Sequence, residues 1–404
     1  MLRNGVWRWV CFYCLPAICQ QRPPVIDALK QRVLDDLAHL PNYTCTETIE
    51  RSTRGARSRS FEDVDRYRVE VAYVGGKELF GWPGSDKLDE PDLTTMVPGT
   101  VSNGEFALLA GLTFNSPSVV FADVRENLID GKPMLRCQYR VPVSGSGWIL
   151  GVPGQQAQIA YHGSMLADRE RLDLLAIDSA ADQIPRSFGF KTVWRSVEFA
   201  RVKIGESEFL LPAHATLRAA GLDGDELKNE IRFSGCHQYS VETEIQFEAV
   251  DASTTRTKVG APKVPAAASP PVESVRLPAE FDAELDLESA IDSDTAAVGD
   301  PFIAVLRRAV TKDGLTLIPK GALLHGRISR LDLVGGRRYL DLRFLYFDAG
   351  GQHVDIGDRD NSFSGYIGGD VSAREPGPLR SDGRRLRLTT DHSVILHSRL
   401  GNTR

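Results

Sequence analysis

The chain is short of positive charge. It holds 48 Lys and Arg against 54 Asp and Glu, for a formal charge of -6 and a pI near 5.8, so nothing draws it globally to nucleic acid or to an anionic membrane. Two local basic runs, Arg54 to Arg59 and Arg384 to Arg387, read as solvated faces or strand edges. Long apolar runs are also missing. Beyond one short run near the start, no stretch approaches the ~20 residues of a membrane-crossing helix, which excludes a polytopic helical protein.

Clustered cysteine and recognisable catalytic spacings are absent as well. Of six cysteines, Cys11, Cys14 and Cys19 lie in the N-terminal apolar run, leaving Cys45, Cys137 and Cys236 too far apart for a CxxC redox pair or a metal cluster. Their places in alternating strand patterns favour small buried hydrophobes; a disulfide, if one forms, is expected between Cys45 and Cys236. His39, His162, His214 and His237 belong to no HExxH or other metal spacing and read as surface or packing residues. Gly145, Gly147, Gly151 and Gly154 lack the strand-turn-helix context and the lysine of a phosphate cradle, and read as flexible loop residues. Ser144, Ser146 and Ser164 show no nucleophile elbow. Asp292 and Asp294 could offer calcium oxygen ligands, but so short a cluster cannot fill a coordination shell and reads better as a turn cap. No catalytic residue, metal or cofactor is therefore expected.

What is present begins with an address. Arg3 and Arg8 precede the apolar run Val10 to Cys19, which Gln20, Gln21, Arg22, Pro23 and Pro24 then break, as in a secretory signal over residues 1–19. Ile18 is larger than the residue a lipoprotein signal places before its modified cysteine. Export follows, to the periplasm or an outer-membrane-associated site. The chain of 404 residues and 44.5 kDa, 42% hydrophobic and 25% charged, exceeds the usual span of one core. Residues 251–276 (DASTTRTKVGAPKVPAAASPPVESVR) contain no aromatic and four prolines, and cannot bury enough surface to offset ordering. They read as a semi-stiff linker between a domain at 25–250 and another at 277–400.

In the first domain, Ile26, Leu29, Val33, Leu37 and Leu40 recur at helical spacing until Pro41 and Asn42 stop them. Strands follow at Tyr43 to Glu50, Arg66 to Val74 and Lys77 to Trp82, the last two joined by the hairpin signal Gly75-Gly76. Ser102 with Glu105 forms a capping-box pattern ahead of a helix bearing Phe106, Leu108, Leu109 and Leu112. Strands resume at Val119 to Arg125 and Met134 to Val141. A meander continues through Gln158 to His162, Glu170 to Ile177, Thr192 to Val202, Glu208 to Ala213, Leu227 to Tyr239 and Thr243 to Ala249. In the second domain Phe281, Ala283, Leu285 and Leu287 alternate with acids, and Leu340, Leu342, Phe344 and Tyr346 alternate again. Gly350 to Arg384 is polar and glycine-rich and reads as a long loop. The fold expected is mainly β: an α+β first domain with one curved antiparallel sheet and a few helices on one side, and a small β-barrel or sandwich domain.

Three segments carry a resemblance: Ala38 to Cys45 (AHLPNYTC), Gly205 to Pro212 (GESEFLLP) and Phe233 to Phe247. Over residues 25–249 the chain resembles exported proteins of unknown role common in Acidobacteria, whose domain is similar to the periplasmic lipoprotein carriers and their outer-membrane lipoprotein-sorting relatives. The resemblance implies a half-barrel sheet with helices in its concavity and an apolar ligand cleft. The run Leu277-Pro278, Leu287 to Asp300 and Ile318 to Gly326 resembles a small repeated β module of Acidobacterial exported proteins and, more remotely, the barrel of the conjugation-channel family; the helical antenna and pore signatures of those channels are not present. The expected role is an envelope protein binding a lipid or lipoprotein acyl chain through Phe106, Leu109 and Leu112 on the helix and Val71 on the sheet, all of which could equally be ordinary core. The alternatives are an envelope protein-interaction module without ligand and, third, an envelope hydrolase. Nucleic acid is not an expected partner.

Overall fold

Alternation puts every second side chain of a strand on one face, and in the first half of the chain that face is dry. The computed structural model describes residues 24–85, 87–239, 277–356, 359–366, 371–381, 383–390 and 393–400. The expected signal, the linker at 251–276 and the expected strand Thr243 to Ala249 lie outside them. Strands β1 (Tyr43–Arg54), β2 (Glu62–Val74), β3 (Lys77–Gly81), β4 (Val120–Ile129), β5 (Lys132–Val141), β6 (Ile149–Val152), β7 (Gln155–Gln158), β8 (Ala160–Asp168), β9 (Leu174–Asp182), β10 (Phe190–Ile204), β11 (Ser207–Gly221) and β12 (Glu226–Gln238) follow in order. All but β6 and β7, which form a separate hairpin, pair antiparallel in the spatial order β4-β5-β8-β9-β10-β11-β12-β1-β2-β3. Gly75 and Gly76 make the β2-β3 turn with φ of 57° and 81°, a conformation that suits glycine in a two-residue hairpin.

Two expected boundaries move. The chain is extended over Ala160–Asp168 and Leu174–Asp182 rather than at 158–162 and 170–177. Asp168 Oδ1 accepts the N–H groups of Glu170 and Arg171, each at 2.8 Å, so the turn falls inside the stretch expected to be strand.

Helices α1 (Pro24–Ala38) and α2 (Leu108–Phe114) cover the dry face. Proline at the start of α1 loses no hydrogen bond there, and Ile26, Leu29 and Val33 are buried at the helical spacing that the sequence shows. Tyr43, Phe106 and Phe233 stack across the sheet centre with ring centroids 4.9 and 5.2 Å apart, a geometry favourable beyond plain burial. Among the described residues no helix is long and apolar enough to cross a membrane.

The second group of strands is β13 (Glu280–Leu287), β14 (Ile291–Asp292), β15 (Pro301–Leu306), β16 (Val310–Lys312), β17 (Leu315–Ile318), β18 (Leu323–Val334), β19 (Arg337–Asp348), β20 (His353–Asp355), β21 (Arg359–Tyr366), β22 (Val371–Gly377), β23 (Leu379–Ser381), β24 (Arg387–Leu388) and β25 (Ser393–Leu400). The main antiparallel pairings are β13 with β15, β15 with β18, β18 with β19, β19 with β23, β23 with β22, β22 with β21, β21 with β25, and β25 with β13. The loop expected over 350–384 is thus largely strand. Its polar, glycine-rich sequence hides the period of two, and pairing with β19 and β25 decides its conformation instead.

The two groups meet along β2. Strand β3 pairs only with residues 70–74 of β2, leaving 62–69 as a free edge, and free edges need cover. Val298 supplies it: its N–H donates to the Arg66 carbonyl and its carbonyl accepts from the Arg68 N–H, both at 2.8 Å. Arg68 forms an ion pair with Asp300, Arg66 Nη1 donates to the Asp294 carbonyl at 2.9 Å, and the Arg327 guanidinium lies 4.6 Å from the Trp82 ring centre. Gly299 permits the approach. Its φ is 102°, and a Cβ there would stand 2.2 Å from the Arg68 carbonyl oxygen and 2.7 Å from the Trp82 ring. Gly299→Ala is therefore expected to lose about 1–2 kcal/mol from backbone strain alone and to undock the segment. Hydrogen exchange at residues 65–68 and Trp82 fluorescence should both change; unaltered protection there would show that the contact is not a fastening.

Candidate functional site

A cleft of about 570 Å³ opens between Leu37 of α1, the β2-β3 turn at Tyr73 and Gly76, the outer side of α2 with Leu108, Gly111, Leu112 and Asn115, and the loop 144–147. The loop glycines are not there for flexibility. A Cβ on Gly147 would lie 2.6 Å from Leu112 Cδ2, and one on Gly145 would lie 2.7 Å from Ser118 Cβ, so both residues let the loop close onto α2 and the segment after it.

The sequence-predicted ligand residues divide. Phe106, Leu109 and Val71 are 2%, 1% and 0% exposed and belong to the core; only Leu112 lines the cleft. Helical spacing identifies the apolar side of α2 but not which residue stands at the margin of the cover. The expected capping box does not form either. Ala107 occupies the N-cap position without a side-chain bond, while Glu105 is drawn inward to Arg195, Oε1 to Nη1 at 3.6 Å, with both side chains under 5% exposed.

Behind the cleft wall lies a cluster that sequence reasoning missed. Glu78 on β3 accepts the Gly104 N–H on Oε2 and the Ala107 N–H on Oε1, each at 2.8 Å. Glu47 on β1 is 3% exposed, and Arg195 on β10 stacks 4.0 Å from the Trp148 ring centre, which offsets part of its desolvation. Asn229 Nδ2 donates to the Thr100 carbonyl at 2.9 Å; its Oδ1, like Arg195 Nε and Nη2, is buried without a hydrogen-bond partner. Burial pushes Glu78 up to about 7 against the pull of the Ala107, Gly104 and Leu108 N–H groups, with Glu105 adding to the rise. Burial also raises Glu47 well above the ordinary carboxyl range, helped by Glu78 and Glu105, and raises Glu105 in spite of Arg195. The available signal was parity. Glu47 shares the period of Cys45 and Ile49, Glu78 that of Phe80, and Arg195 that of Val193 and Val197, all facing the dry side.

The remaining candidates have structural places. Cys45 and Cys236 are bonded, Sγ to Sγ 1.96 Å and Cα to Cα 4.1 Å, across a β1-β12 irregularity between Thr44 and Thr46, where Gly235 takes a φ of 62°. Cys137 is free and buried, its thiol pushed up to about 11 by burial. His39 Nδ1 contacts the Asp35 carbonyl at 2.6 Å, His162 pairs with Asp182 at 2.8 Å, His214 with Glu230 at 3.0 Å, and His237 contacts the Gly235 carbonyl at 2.9 Å. Asp292 caps its turn by accepting the Asp294 N–H at 3.0 Å, and Arg385 neutralises both acids at 2.9 and 3.1 Å. Among the described residues no group of three or more His, Cys, Asp or Glu could hold a metal ion.

No family model matches this chain. No curated protein matches it. Among solved structures it is similar to a DUF1329 family protein from Desulfovibrio piger, at 12% identity and a TM-score of 0.29, over 54% of this chain and 94% of that one; a likeness of this size carries no argument about fold or function.

Two outcomes are expected. The Cys45–Cys236 bond closes a sequence separation of 191 residues, so its reduction should lower stability by about 2–5 kcal/mol, read as a fall in the urea midpoint on adding a phosphine reductant; an unchanged midpoint would show that strand pairing alone holds β1 to β12. Glu78 has the opposite linkage from a salt-bridged acid. Its folded pKa of about 7 exceeds the ordinary 4.5, so its penalty is absent below about 4.5, grows as pH rises, and is complete above about 7, reaching on the order of 3 kcal/mol. Urea titrations of wild type and Glu78→Gln at pH 5 and pH 8 should show the variant gaining relative stability at the higher pH; a constant difference would contradict the burial of an ionisable Glu78.

Proposed function

We propose that this chain is an exported envelope protein whose unit at 25–250 binds an apolar ligand, a lipid or lipoprotein acyl chain, beside α2, while the unit at 277–400 contacts envelope material. The cleft carries this reading. Its volume of about 570 Å³ falls within the ~300–1,000 Å³ common for small-molecule sites. Leu37, Tyr73, Leu108, Leu112 and Pro117 offer apolar wall, and Asn115, Ser116, Ser144 and Ser146 stand among them. Apolar contact contributes roughly 25 cal/mol per Å² before ordering and association costs are subtracted, and the interspersed hydroxyl and amide groups suit a ligand with a polar end.

Other features support parts of the proposal. The Cys45–Cys236 disulfide agrees with an oxidising compartment outside the cytoplasm. Helices on one face of the first sheet agree with a half-barrel that curves around them. The circuit of pairings from β13 through β18, β19 and β21 back to β13 supports a small closed β unit, an arrangement that removes exposed edges. A second reading, a protein-interaction module without ligand, draws on Val120, Leu128 and Ile149, which are 59%, 76% and 62% exposed.

Native mass spectrometry of the full chain purified from a bacterial envelope, followed by titration with a fluorescent fatty acid, separates the two readings. Co-purified lipid and saturable binding are expected, with Leu112→Asp weakening affinity by about tenfold, the equivalent of ~1.4 kcal/mol. Absence of both lipid and saturable binding from the folded wild-type protein would reject the carrier reading and leave the interaction module in front.

A further inference from the structure

The cluster behind the cleft is wired to the cleft wall. Gly104, whose N–H reaches Glu78 Oε2, also accepts the N–H groups of Leu108 and Leu109 on its carbonyl at 3.1 and 2.8 Å, so it anchors the first turn of α2. Ala107, whose N–H reaches Glu78 Oε1, and the next residue, Leu108, both line the cleft. Each carboxyl oxygen of Glu78 thus accepts one of these N–H groups, and the Leu108 N–H adds to their pull on the carboxylate. A proton added to either oxygen converts an acceptor into a hydroxyl donor and weakens one of the two bonds.

The groups facing Glu78 leave it without a cation of its own. Tyr43 and Glu47 approach from β1 and Glu105 from the segment before α2, Tyr73 stands opposite on β2, and Arg195 of β10 is engaged by Glu105. Gly104 takes a φ of 98°, a conformation open to glycine and therefore tolerant of rearrangement at that position.

We infer that Glu78 is a proton-operated latch on the cleft: ionised, it fastens residues 104–107 and with them the Ala107–Leu108 wall; protonated and still shielded from water, it frees one N–H, loosens the wall and lowers affinity for the apolar ligand. The ligand half of this inference rests on the binding reading above; the latch half does not. Burial places the Glu78 carboxyl at about 7, so modest acidification is enough to operate it.

The test uses the full-length protein in two measurements from pH 5.5 to 8.5. Hydrogen exchange by mass spectrometry, corrected for the intrinsic pH dependence of exchange, follows the peptide spanning 104–108, and the uncharged fluorophore N-phenyl-1-naphthylamine reports on the cleft. Protection at 104–108 is expected to fall by about tenfold from pH 8.5 to 5.5, with parallel weakening of fluorophore binding. Glu78→Gln, which keeps one acceptor oxygen, should show the acid behaviour at every pH; should it fail to fold, the wild-type exchange profile and Glu78→Asp, whose shorter carboxyl cannot span both N–H groups, decide. Protection that does not change with pH, or that rises on acidification, overturns the latch whatever the fluorophore does. Stepped protection with equal fluorophore affinity at both pH values overturns the control of binding, and stepped protection with no fluorophore binding at either pH overturns the ligand reading while the latch stands.

Discussion

One face of a sheet running from Lys132–Val141 to Lys77–Gly81 has to be kept dry, and two helices, one of them only seven residues long, are the cover. A helix that short has little stability of its own. It is held in place by Leu109, Ala110 and Phe114, which it buries against the core, and by the bonds from Gly104 and Ala107 to Glu78. The cleft lies at the margin of that cover, where α1, α2, the β2-β3 turn and the 144–147 loop come together.

The same constraint explains why charge lies where hydrophobes belong. Removing Glu47, Glu78, Glu105 and Arg195 from water is costly, and replacing such groups with well-packed apolar residues often leaves a protein as stable or more so. The ion pair Glu105–Arg195, the indole face of Trp148 and the backbone N–H groups on Glu78 offset part of that cost, and burial holds Glu47 well above the ordinary carboxyl range. Charges kept at such expense in the layer directly behind the cleft wall tie the wall to proton concentration.

Along β2 the argument concerns backbone rather than side chains. Residues 62–69 present donors and acceptors that β3 does not reach, and the segment around Val298 to Asp300 satisfies part of them. Asp292 turns the chain ahead of this contact and Arg385 holds the turn. The acidic IDSDT stretch therefore serves as the mounting of an edge cover, which answers why acids, a tight turn and a glycine at 299 fall so close together.

The sequence by itself determined the periodic features. Apolar spacing set α1 and most strands of the first sheet, Gly75-Gly76 set a hairpin, and alternation identified the dry parity of β13, since each of these depends only on residues near in sequence. Its reach ended where a distant partner chose the outcome. The strands within 350–384 form on pairing with β19 and β25, the β8-β9 turn falls where Asp168 can cap it, and Glu105 pairs with Arg195, ninety residues on, while α2 starts only at Leu108. Leu112 rather than Leu109, Phe106 or Val71 borders the cleft, because periodicity reports which side of an element is dry and not where its cover stops. That margin, the buried carboxylates collected from three separate strands and loops, and the join of Cys45 to Cys236 were decided only by tertiary structure, which alone brings remote residues within the few ångströms over which burial, hydrogen bonds and covalent bonds act.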